Sequence, residues 1–417
     1  MRTVPLKRIV GVNLHTLPET TEPGFEFRYL DIGAVGRGQL ISEPEETVFA
    51  AAPSRARRLV RQGDTIISTV RTYLRAVWPV RDSATDLVVS TGFAVLTPTG
   101  SIDSRYLGWL AQSEVVVEEV VARSVGVSYP AINPSDIATV RVPLPPLARQ
   151  SAIADYLDRE TARIDALIEK KQRMMALIRE RALVRQELLA TGRSQKVQMG
   201  PSCHDWLGPI PENWSVVRLK HYARIESGHT PSRTRPELWE NCTIPWVTLN
   251  DVGYLETHEW VEETVNLISE AGIASSSARV LPADTVILSR DATVGRCGIL
   301  ARPMATSQHF IDWVCGQHLR PRYLWLLFRT AMQTHFASLT DGATLRTIGM
   351  PDIGELVVPF PPLDQQDLIV EQAEEVRKRA GKTMELLDKQ VALLQEHRQV
   401  LITAAVTGEL EVPGVAA

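Results

Sequence analysis

The sequence has few cysteines and no long apolar run. Cys203, Cys242, Cys297 and Cys315 all lie in the second half of the 417 residues, and no pair has the Cys-x-x-Cys spacing of a zinc site. We therefore expect reduced thiols, without a disulfide framework or a structural metal. No window approaches the ~18 apolar residues of a membrane span, and the amino terminus lacks the apolar core of a signal peptide. These absences predict a cytoplasmic protein that has no membrane segment.

Signatures of common enzyme classes are also missing. The chain has no Gly-x-Ser-x-Gly, no P-loop and no His-Glu-x-x-His, and its nine histidines do not cluster at ligand spacing. The run Asn133-Pro134-Ser135-Asp136 lacks the second proline and the aromatic residue of an amino-methyltransferase motif, so we interpret it as a turn that begins a helix. A net charge of −4 excludes a globally basic nucleic-acid binder but allows a local basic surface. We predict no catalytic residue and no metal ligand.

The sequence does contain an internal duplication. Val142-Pro143-Leu144-Pro145-Pro146-Leu147 recurs 216 residues later as Val358-Pro359-Phe360-Pro361-Pro362-Leu363. The same offset relates Gln150 to Gln366, and Arg105-Tyr106-Leu107 recurs one residue further on, at Arg322-Tyr323-Leu324. So many matches in one order indicate two diverged copies of one unit.

Each copy begins with a mixed segment, which predicts an α+β fold class. Runs rich in Val, Ile and Thr, at 65–70, 93–97 and 285–289, indicate strands, and 104–113 and 320–333 indicate helices. We assign 1–146 and 213–362 to two globular domains. The segment 193–212 is rich in Gly and Pro and is predicted to be a linker, and 409–417 is a tail.

A long charged helix is predicted after each domain, at 147–192 and 363–408. Each follows a Pro-Pro pair and precedes a glycine, and 46 residues separate both Pro146 from Gly192 and Pro362 from Gly408. The narrow apolar stripe over several heptads favours a coiled-coil seam. At ~1.5 Å per residue each helix would be about 65 Å long. We expect the two helices to form an antiparallel coiled coil; the alternative is that each lies along its own domain.

Arginine, aromatic and hydroxyl residues recur at matching places in both copies. Arginine can bind phosphate or grip a guanine edge with two hydrogen bonds, whereas the alternative for any single residue is a solvated surface side chain. Two Gly-x-Ser/Thr loops add hydroxyl donors. The candidate DNA-binding residues are Arg57, Arg58, Arg71, Tyr73, Arg75, Ser128, Tyr129, Arg233, Arg235, Arg290, Arg296, Thr344 and Arg346.

Several motifs resemble those of one protein family. In the second copy they are Gly228-His229-Thr230-Pro231-Ser232, Ile244-Pro245-Trp246, Arg290-Asp291-x-x-x-Gly295 and the Pro-Pro-Leu turn before the helix. With them the whole chain resembles the DNA specificity (S) subunit of type I restriction-modification systems. The first copy departs from the pattern at Arg71-Thr72-Tyr73-Leu74-Arg75, where the second has the Arg-Asp form.

The resemblance implies a non-catalytic subunit of a larger complex. Each globular domain would be a target-recognition domain for one half of a bipartite, asymmetric site on double-stranded DNA. The helices would set the half-site spacing and dock two methyltransferase (M) subunits, which restriction (R) subunits would join. S-adenosylmethionine, ATP and Mg would be used by those partners, and the S subunit would hold no cofactor. Two other hypotheses are a self-sufficient enzyme, which needs a methyltransferase or nuclease motif, and a coiled-coil adaptor without sequence-specific DNA affinity.

Overall fold

The computed structural model describes residues 2–81, 86–341 and 347–413 and divides into two compact units. Unit 1 comprises residues 1–172 and 387–417, and unit 2 comprises residues 173–386. Both units combine largely antiparallel sheets with separate helices, so the predicted α+β class is confirmed. Over the described residues, no helix has the length and apolar character needed to cross a bilayer.

Two sheets form most of the globular part of unit 1. Its strands are β1 (Thr3–Pro5), β2 (Val10–Val12), β3 (Glu26–Leu30), β4 (Glu45–Val48), β5 (Ala56–Leu59), β6 (Thr65–Ser68), β7 (Val77–Pro79), β8 (Leu87–Ser90), β9 (Phe93–Pro98) and β10 (Arg141–Pro143). One sheet has the antiparallel order β2-β9-β6-β7, and the other has the order β4-β3-β8-β5. Strand β1 pairs with β10, which brings the start of the domain to its end.

The helices of unit 1 pack on the first sheet. They are α1 (Ser104–Gln112), α2 (Glu114–Ala122), α3 (Pro134–Ile137), the first half of α4 (Leu147–Ala190) and the part of the second long helix that belongs to this unit, residues 387–407. Helix α1 begins at Asp103, whose carboxylate accepts hydrogen bonds from two backbone N–H groups of the first turn, as an N-cap should. The buried face of α1 includes Tyr106, Leu107 and Leu110, which lie in one apolar cluster with Leu157 of α4.

Unit 2 repeats the same sheet order. Its strands are β11 (Met199–Gly200), β12 (Ile210–Pro211), β13 (Ser215–Arg218), β14 (Ala223–Ser227), β15 (Ile244–Val247), β16 (Trp260–Val261), β17 (Asn266–Ile268), β18 (Val286–Ser289), β19 (Cys297–Leu300), β20 (Ala305–Thr306), β21 (Phe310–Cys315), β22 (Thr340–Asp341), β23 (Thr347–Ile348) and β24 (Val357–Phe360). The run β14-β21-β18-β19 corresponds to β2-β9-β6-β7, with β16 added at one edge. The pair β13-β24 corresponds to β1-β10.

Short helices again connect these strands. They are α5 (Val252–Leu255), α6 (Glu270–Ala274), α7 (Pro321–Arg329), α8 (Gln333–Ser338) and α9 (Met350–Glu355), and the long helix α10 (Leu363–Thr407) follows β24. In the two units together, 3-10 turns occupy Leu6–Arg8, Ile32–Ala34, Thr72–Leu74, Leu219–His221, Pro236–Trp239 and Leu249–Asp251. The predicted helix over 320–333 is therefore two helices, because α7 ends at Arg329. The predicted strand over 65–70 ends at Ser68, so residues 69–75 form a loop.

The segment predicted as a linker, 193–212, differs most from expectation. Its strands β11 and β12 pair with each other, and Leu207 and Ile210 are buried in the main apolar cluster of unit 2 together with Trp214. Gly200 and Pro211 lie in the two paired strands, so the segment is folded despite its Gly and Pro content. The prediction gave weight to the Gly and Pro content and missed the few apolar side chains, Leu207 and Ile210, that pack the segment against the domain.

The two long helices lie antiparallel to each other within each unit. In unit 1, Asp165 of α4 accepts a hydrogen bond from Arg398 of α10 at 2.9 Å, and six residues later Lys171 contacts Gln390 at 2.5 Å. In unit 2, the Gln186 amide donates to the carbonyl oxygen of Ala373 at 3.0 Å. The predicted antiparallel pairing is confirmed, and Gly381, the one glycine in α10, does not interrupt that helix.

A buried tyrosine and a buried glutamine join each globular domain to the helices. In unit 2, the Tyr323 hydroxyl lies 2.9 Å from the carbonyl oxygen of Ala190 and 3.1 Å from that of Pro359. Gln366 accepts from the backbone N–H of Arg320 at 2.8 Å and donates to the carbonyl oxygen of Pro361 at 2.9 Å. Tyr106 and Gln150 make the equivalent bonds in unit 1, to Pro143, Val406, Asp103 and Pro145. The repeated residues therefore build the same joint twice.

Candidate nucleic-acid interface

In unit 1, the hairpin loop between β6 and β7 carries three of the predicted residues. Val70 in this loop forms a β-bridge with Ala131, and the Thr72 hydroxyl donates to that of Ser124 at 2.7 Å. These contacts bring the hairpin loop beside the predicted Gly-x-Ser loop. The guanidinium of Arg71 lies 4.9 Å from the ring centroid of Tyr129. An exposed cation–π pair at this distance contributes about 0.5–1 kcal/mol and holds both side chains at the surface.

Exposure and backbone geometry set this loop apart from the rest of the domain. Tyr73 is 54% exposed and Tyr129 is 66% exposed, and Ser128 is also exposed. Arg71 and Arg75 both adopt left-handed backbone angles, with φ of 50° and 55°. Such angles are uncommon for residues other than glycine and cost on the order of 1–3 kcal/mol. Strain of this kind concentrates at functional sites.

Arg75 differs from Arg71 because its charge is already paired. Its guanidinium lies 3.0 Å from the Glu114 carboxylate and 2.5 Å from that of Glu118, and Arg37 also contacts Glu114 at 2.8 Å. Burial alone would raise the pKa of Glu114, but the hydrogen bond and charge of Arg37, the hydrogen bond with Glu118 and the charge of Arg75 together lower it. Arg75 therefore contributes to an internal ion-pair cluster as well as to the loop.

Arg57 and Arg58 lie in β5, an edge strand of the other sheet. The Arg57 guanidinium lies 4.6 Å from the ring centroid of Phe49, and Arg58 donates to the Thr16 hydroxyl at 3.2 Å. Over the described part of unit 1, neither makes a hydrogen bond or ion pair with the two loops around Arg71. These two predicted residues thus lie in a different sheet from the hairpin loop of Arg71.

In unit 2, the hairpin loop between β18 and β19 occupies the equivalent place. Asp291 forms a β-bridge with Thr347, and the N–H of Ile348 donates to the carbonyl oxygen of Arg290 at 3.0 Å. These contacts match the bridge between Val70 and Ala131. The predicted residues Thr344 and Arg346 lie outside the described residues, immediately before this bridge. The hairpin loop and the base of the second Gly-x-Thr loop are therefore neighbours in this unit as well.

Arg290 is the most conspicuous of the predicted arginines. Its side chain is only 22% exposed, and its Nε is buried without a hydrogen-bond partner among the described residues. Its nearest carboxylate, that of Asp291, is 3.7 Å away. A guanidinium presents five donors, and a buried donor left unpaired costs about 1–3 kcal/mol. Because the Nε is enclosed by the protein, a phosphate or a guanine edge could contact only the exposed part of this side chain.

The other predicted arginines described in unit 2 differ in whether they form an ion pair with a carboxylate. Arg296 lies 3.0 Å from Glu256 and Arg235 lies 2.8 Å from Glu237, so both are already neutralised. Arg233 is exposed and has no acidic partner within the described residues. It lines a surface cavity of about 480 Å³ together with Trp239 and Trp246, whose ring centroids are 5.5 Å apart.

A chain of hydrogen bonds that sequence reasoning missed runs beside Arg290. The Asp291 carboxylate accepts from the Thr347 hydroxyl and from His309 Nδ1, the latter at 2.9 Å. His309 Nε2 lies 3.2 Å from the side-chain nitrogen of Gln308, whose oxygen accepts from the Thr230 hydroxyl. In the sequence, His309 is one of nine histidines that do not cluster at ligand spacing. The only available signal was its place directly before a strand equivalent to one in the first copy.

Comparisons with known proteins agree with the motifs. A family model for the type I restriction modification DNA specificity domain matches residues 61–174 and 211–389. The chain is 27% identical over 187 residues to the type I restriction enzyme MjaIX specificity subunit of Methanocaldococcus jannaschii, covering 44% of this chain but only 43% of that subunit. It is 24% identical over 339 residues to the EcoDI specificity subunit of Escherichia coli, covering 74% and 70% of the two chains.

A solved structure agrees at the level of the fold. It is described as the structural basis of complex assembly and conformational transition of the type I R-M system. It aligns over 98% of both chains with a TM-score of 0.67 and 23% identity, which shows a shared fold. The family model itself covers well over half of this sequence. The chain therefore belongs to the family of type I restriction-modification DNA specificity proteins.

Proposed function

We propose that this chain is the sequence-reading subunit of a type I restriction-modification complex, and that each globular domain binds one half of a bipartite, asymmetric site on double-stranded DNA. One observation carries the proposal. Both domains place an arginine, Arg71 or Arg290, on the equivalent hairpin loop, and in both a β-bridge ties that loop to a residue that follows the Gly-x-Ser/Thr motif in the sequence, Ala131 or Thr347. Loops supported by a sheet are where binding residues concentrate, and arginine suits both phosphate and base edges.

The proposal also assigns a role to the long helices, which would set the distance between the half-sites and dock two M subunits. Apolar side chains outside the seam support docking. In unit 1, Leu393 is 63% exposed and Val400 is 58% exposed, and in unit 2 Leu177 is 57% exposed. Apolar side chains grouped on a helix surface favour contact with another protein. R subunits would join the same assembly in the cytoplasm, where the DNA is.

Catalysis would belong to the partners. The M subunits would use S-adenosylmethionine to methylate adenine, and the R subunits would use ATP and Mg to translocate and cleave DNA. In this proposal the chain itself holds no cofactor. The purified chain should therefore transfer no methyl group to DNA, and methyl transfer without a partner would contradict the proposal.

Mapping methylated adenines in the host genome tests the proposed function directly. Cells that contain the chain and its M partner should carry a two-part methylated motif that disappears when the gene for this chain is deleted. The motif should return when the chain is supplied from a plasmid. If deletion leaves the methylated motifs unchanged, the chain does not direct methylation.

A further inference from the structure

With His309 neutral, the hydrogen-bond network beside Arg290 has a single consistent direction. A carboxylate can only accept, so the His309 Nδ1 that faces Asp291 at 2.9 Å carries a proton. In a neutral imidazole the other nitrogen, Nε2, is then an acceptor. It takes a hydrogen from the Gln308 amide nitrogen, which is 3.2 Å away. The Gln308 oxygen is thereby turned toward the Thr230 hydroxyl, which donates to it.

This direction fixes the orientation of the Gln308 side-chain amide. One amide hydrogen is used by His309 and one oxygen lone pair is used by Thr230. One hydrogen and one lone pair remain, because a side-chain amide has two of each. Gln308 is exposed, whereas Asp291, at the other end of the chain, is only 15% exposed in its side chain. The hydrogen-bond network is therefore anchored in the domain at Asp291, and the unused hydrogen and lone pair of Gln308 lie at the surface.

The backbone that carries Gln308 is held on both sides. The N–H of Ser307 donates to the carbonyl oxygen of Val247 at 2.9 Å, and the carbonyl oxygen of His309 accepts from the N–H of Arg290 at 2.9 Å. The N–H of Phe310 closes the turn by donating to the Ser307 carbonyl oxygen at 3.1 Å. Gln308 thus lies on a fixed turn in contact with the loop of Arg290, which binds DNA under the proposed function.

A free donor and a free acceptor on one amide match a single base in the major groove. Glutamine pairs with adenine by accepting from N6–H and donating to N7, and such a pair discriminates against other bases by about 1–3 kcal/mol. We propose that Gln308 recognises an adenine in the half-site bound by the second domain, and that Thr230, His309 and Asp291 are positioning residues for its amide. The inference rests on the proposed function and deepens it by assigning a base to a residue.

Two variants separate base recognition from positioning. Gln308→Glu keeps the size of the side chain but removes its donor, so the complex with M subunits should lose its preference for adenine at one position of one half-site by about 5- to 150-fold. His309→Asn keeps a donor to Asp291 but removes the acceptor that orients Gln308. It should relax the same position by a smaller factor and leave all other positions unchanged, which a merely structural role would not do.

The chain supplies a matched control in a second Gln-His pair. Gln317 lies 3.1 Å from His318 through the same two nitrogen atoms, but at the opposite end of β21 and outside the hydrogen-bond chain. Gln317→Glu introduces the same charge in the same unit. The methylated motif in cells that express this variant with the M subunit should equal the wild-type motif.

Modified DNA tests the contact itself. Replacing one adenine at a time with 7-deazaadenine removes N7 and preserves base pairing. One such replacement in the second half-site should weaken binding of the wild-type complex by at least about 5-fold and leave binding of the Gln308→Glu complex unchanged. The inference is overturned if no replacement has this effect, if Gln308→Glu methylates the wild-type motif, or if the second half-site has no A·T pair. Absence of any two-part motif in wild-type cells would instead overturn the proposed function, and the inference with it.

Discussion

The hydroxyl of Tyr323 lies 2.9 Å from the carbonyl oxygen of Ala190, the last residue of α4. The last carbonyl groups of a helix have no partner within the helix, so a buried end needs a donor from elsewhere. Tyr323 supplies that donor from α7, and burial raises the pKa of its hydroxyl well above the usual value, which keeps the proton in place. Tyr106 has the same relation to Val406 near the end of α10, at 3.4 Å.

Removing the Tyr323 hydroxyl should destabilise the chain. Tyr323→Phe leaves the Ala190 carbonyl oxygen buried without this donor, so the free energy of unfolding should fall by about 1–3 kcal/mol. Tyr106→Phe should cost less, because its two contacts are longer, at 3.3 and 3.4 Å. Urea denaturation followed by tryptophan fluorescence measures both, and the exposed Tyr73→Phe is the control. Equal midpoints for Tyr323→Phe and Tyr73→Phe would show that the bond contributes nothing.

Substitution of Gln366 should reduce stability more than substitution of Tyr323, the other buried residue that joins this domain to the helices. It is fully buried and contacts three backbone groups, the N–H of Arg320 and the carbonyl oxygens of His318 and Pro361. Gln366→Leu has a similar volume but leaves these groups unpaired, so we expect a loss of about 2–4 kcal/mol. Thermal and urea unfolding of this variant and of the exposed Gln372→Leu should differ clearly. Similar stability would mean that water replaces the amide at no cost.

The repeat in the sequence predicted the architecture because both copies preserve the residues that build it. The sequence repeat includes the buried residues Tyr106 and Tyr323, and Gln150 and Gln366. Their hydrogen-bond partners are distant in the sequence or unmarked by it, and only the fold identifies them. The hydrogen-bond network of Gln308 was not predictable in the same way. The residues of this network come from separate segments, and the recognition loops have diverged, so no residues repeated between the two copies mark it. Thr344 and Arg346 stay predictions, as do the other candidate DNA contacts.

Asp312 should make the stability of unit 2 depend on pH. Its carboxyl is fully buried, and burial raises its pKa from the usual 3.8 to about 8. Between pH 4 and pH 8 the unfolded chain has lost this proton while the folded chain retains it, so raising the pH lowers stability. Asp312→Asn removes the ionisation, and its advantage over wild type should grow to a few kcal/mol by pH 8, at about 1.4 kcal/mol per pKa unit.

The measurement compares urea midpoints of Asp312→Asn and wild type at pH 5, 6.5 and 8. The difference between the two proteins isolates this one carboxyl from the other titrating groups. The exposed Asp364→Asn is the control and should show a constant difference. A constant difference for Asp312→Asn as well would show that its carboxyl does not bind a proton in the folded state over this range.

The arginines of the two hairpin loops should act on different half-sites. Arg290→Ala, and Arg346→Ala at the second residue predicted from the sequence, should weaken or relax recognition of the second half-site by about 1–3 kcal/mol for each lost bidentate contact. Arg71→Ala should do the same for the first half-site only. Binding of duplexes with one half-site scrambled, measured for each variant in complex with M subunits, separates the two effects. If Arg290→Ala weakens binding to all sequences equally and lowers the salt dependence, Arg290 binds phosphate and not a base.

Lengthening both long helices should lengthen the spacer between the half-sites. Because Lys171 contacts Gln390 and Gln186 contacts Ala373, insertions after Met175 in α4 and after Leu386 in α10 fall opposite each other. Seven residues in each preserve the heptad seam and add about 10 Å at 1.5 Å per residue. That length corresponds to about three base pairs at 3.4 Å each, so the methylated motif should keep both half-sites and gain about three bases between them. Replacing the seven residues before each insertion point with the inserted heptad, at constant length, is the control and should leave the spacer unchanged. A wild-type spacer in the lengthened chain would refute the role of the helices in setting half-site distance, while leaving the assignment of the two recognition domains intact.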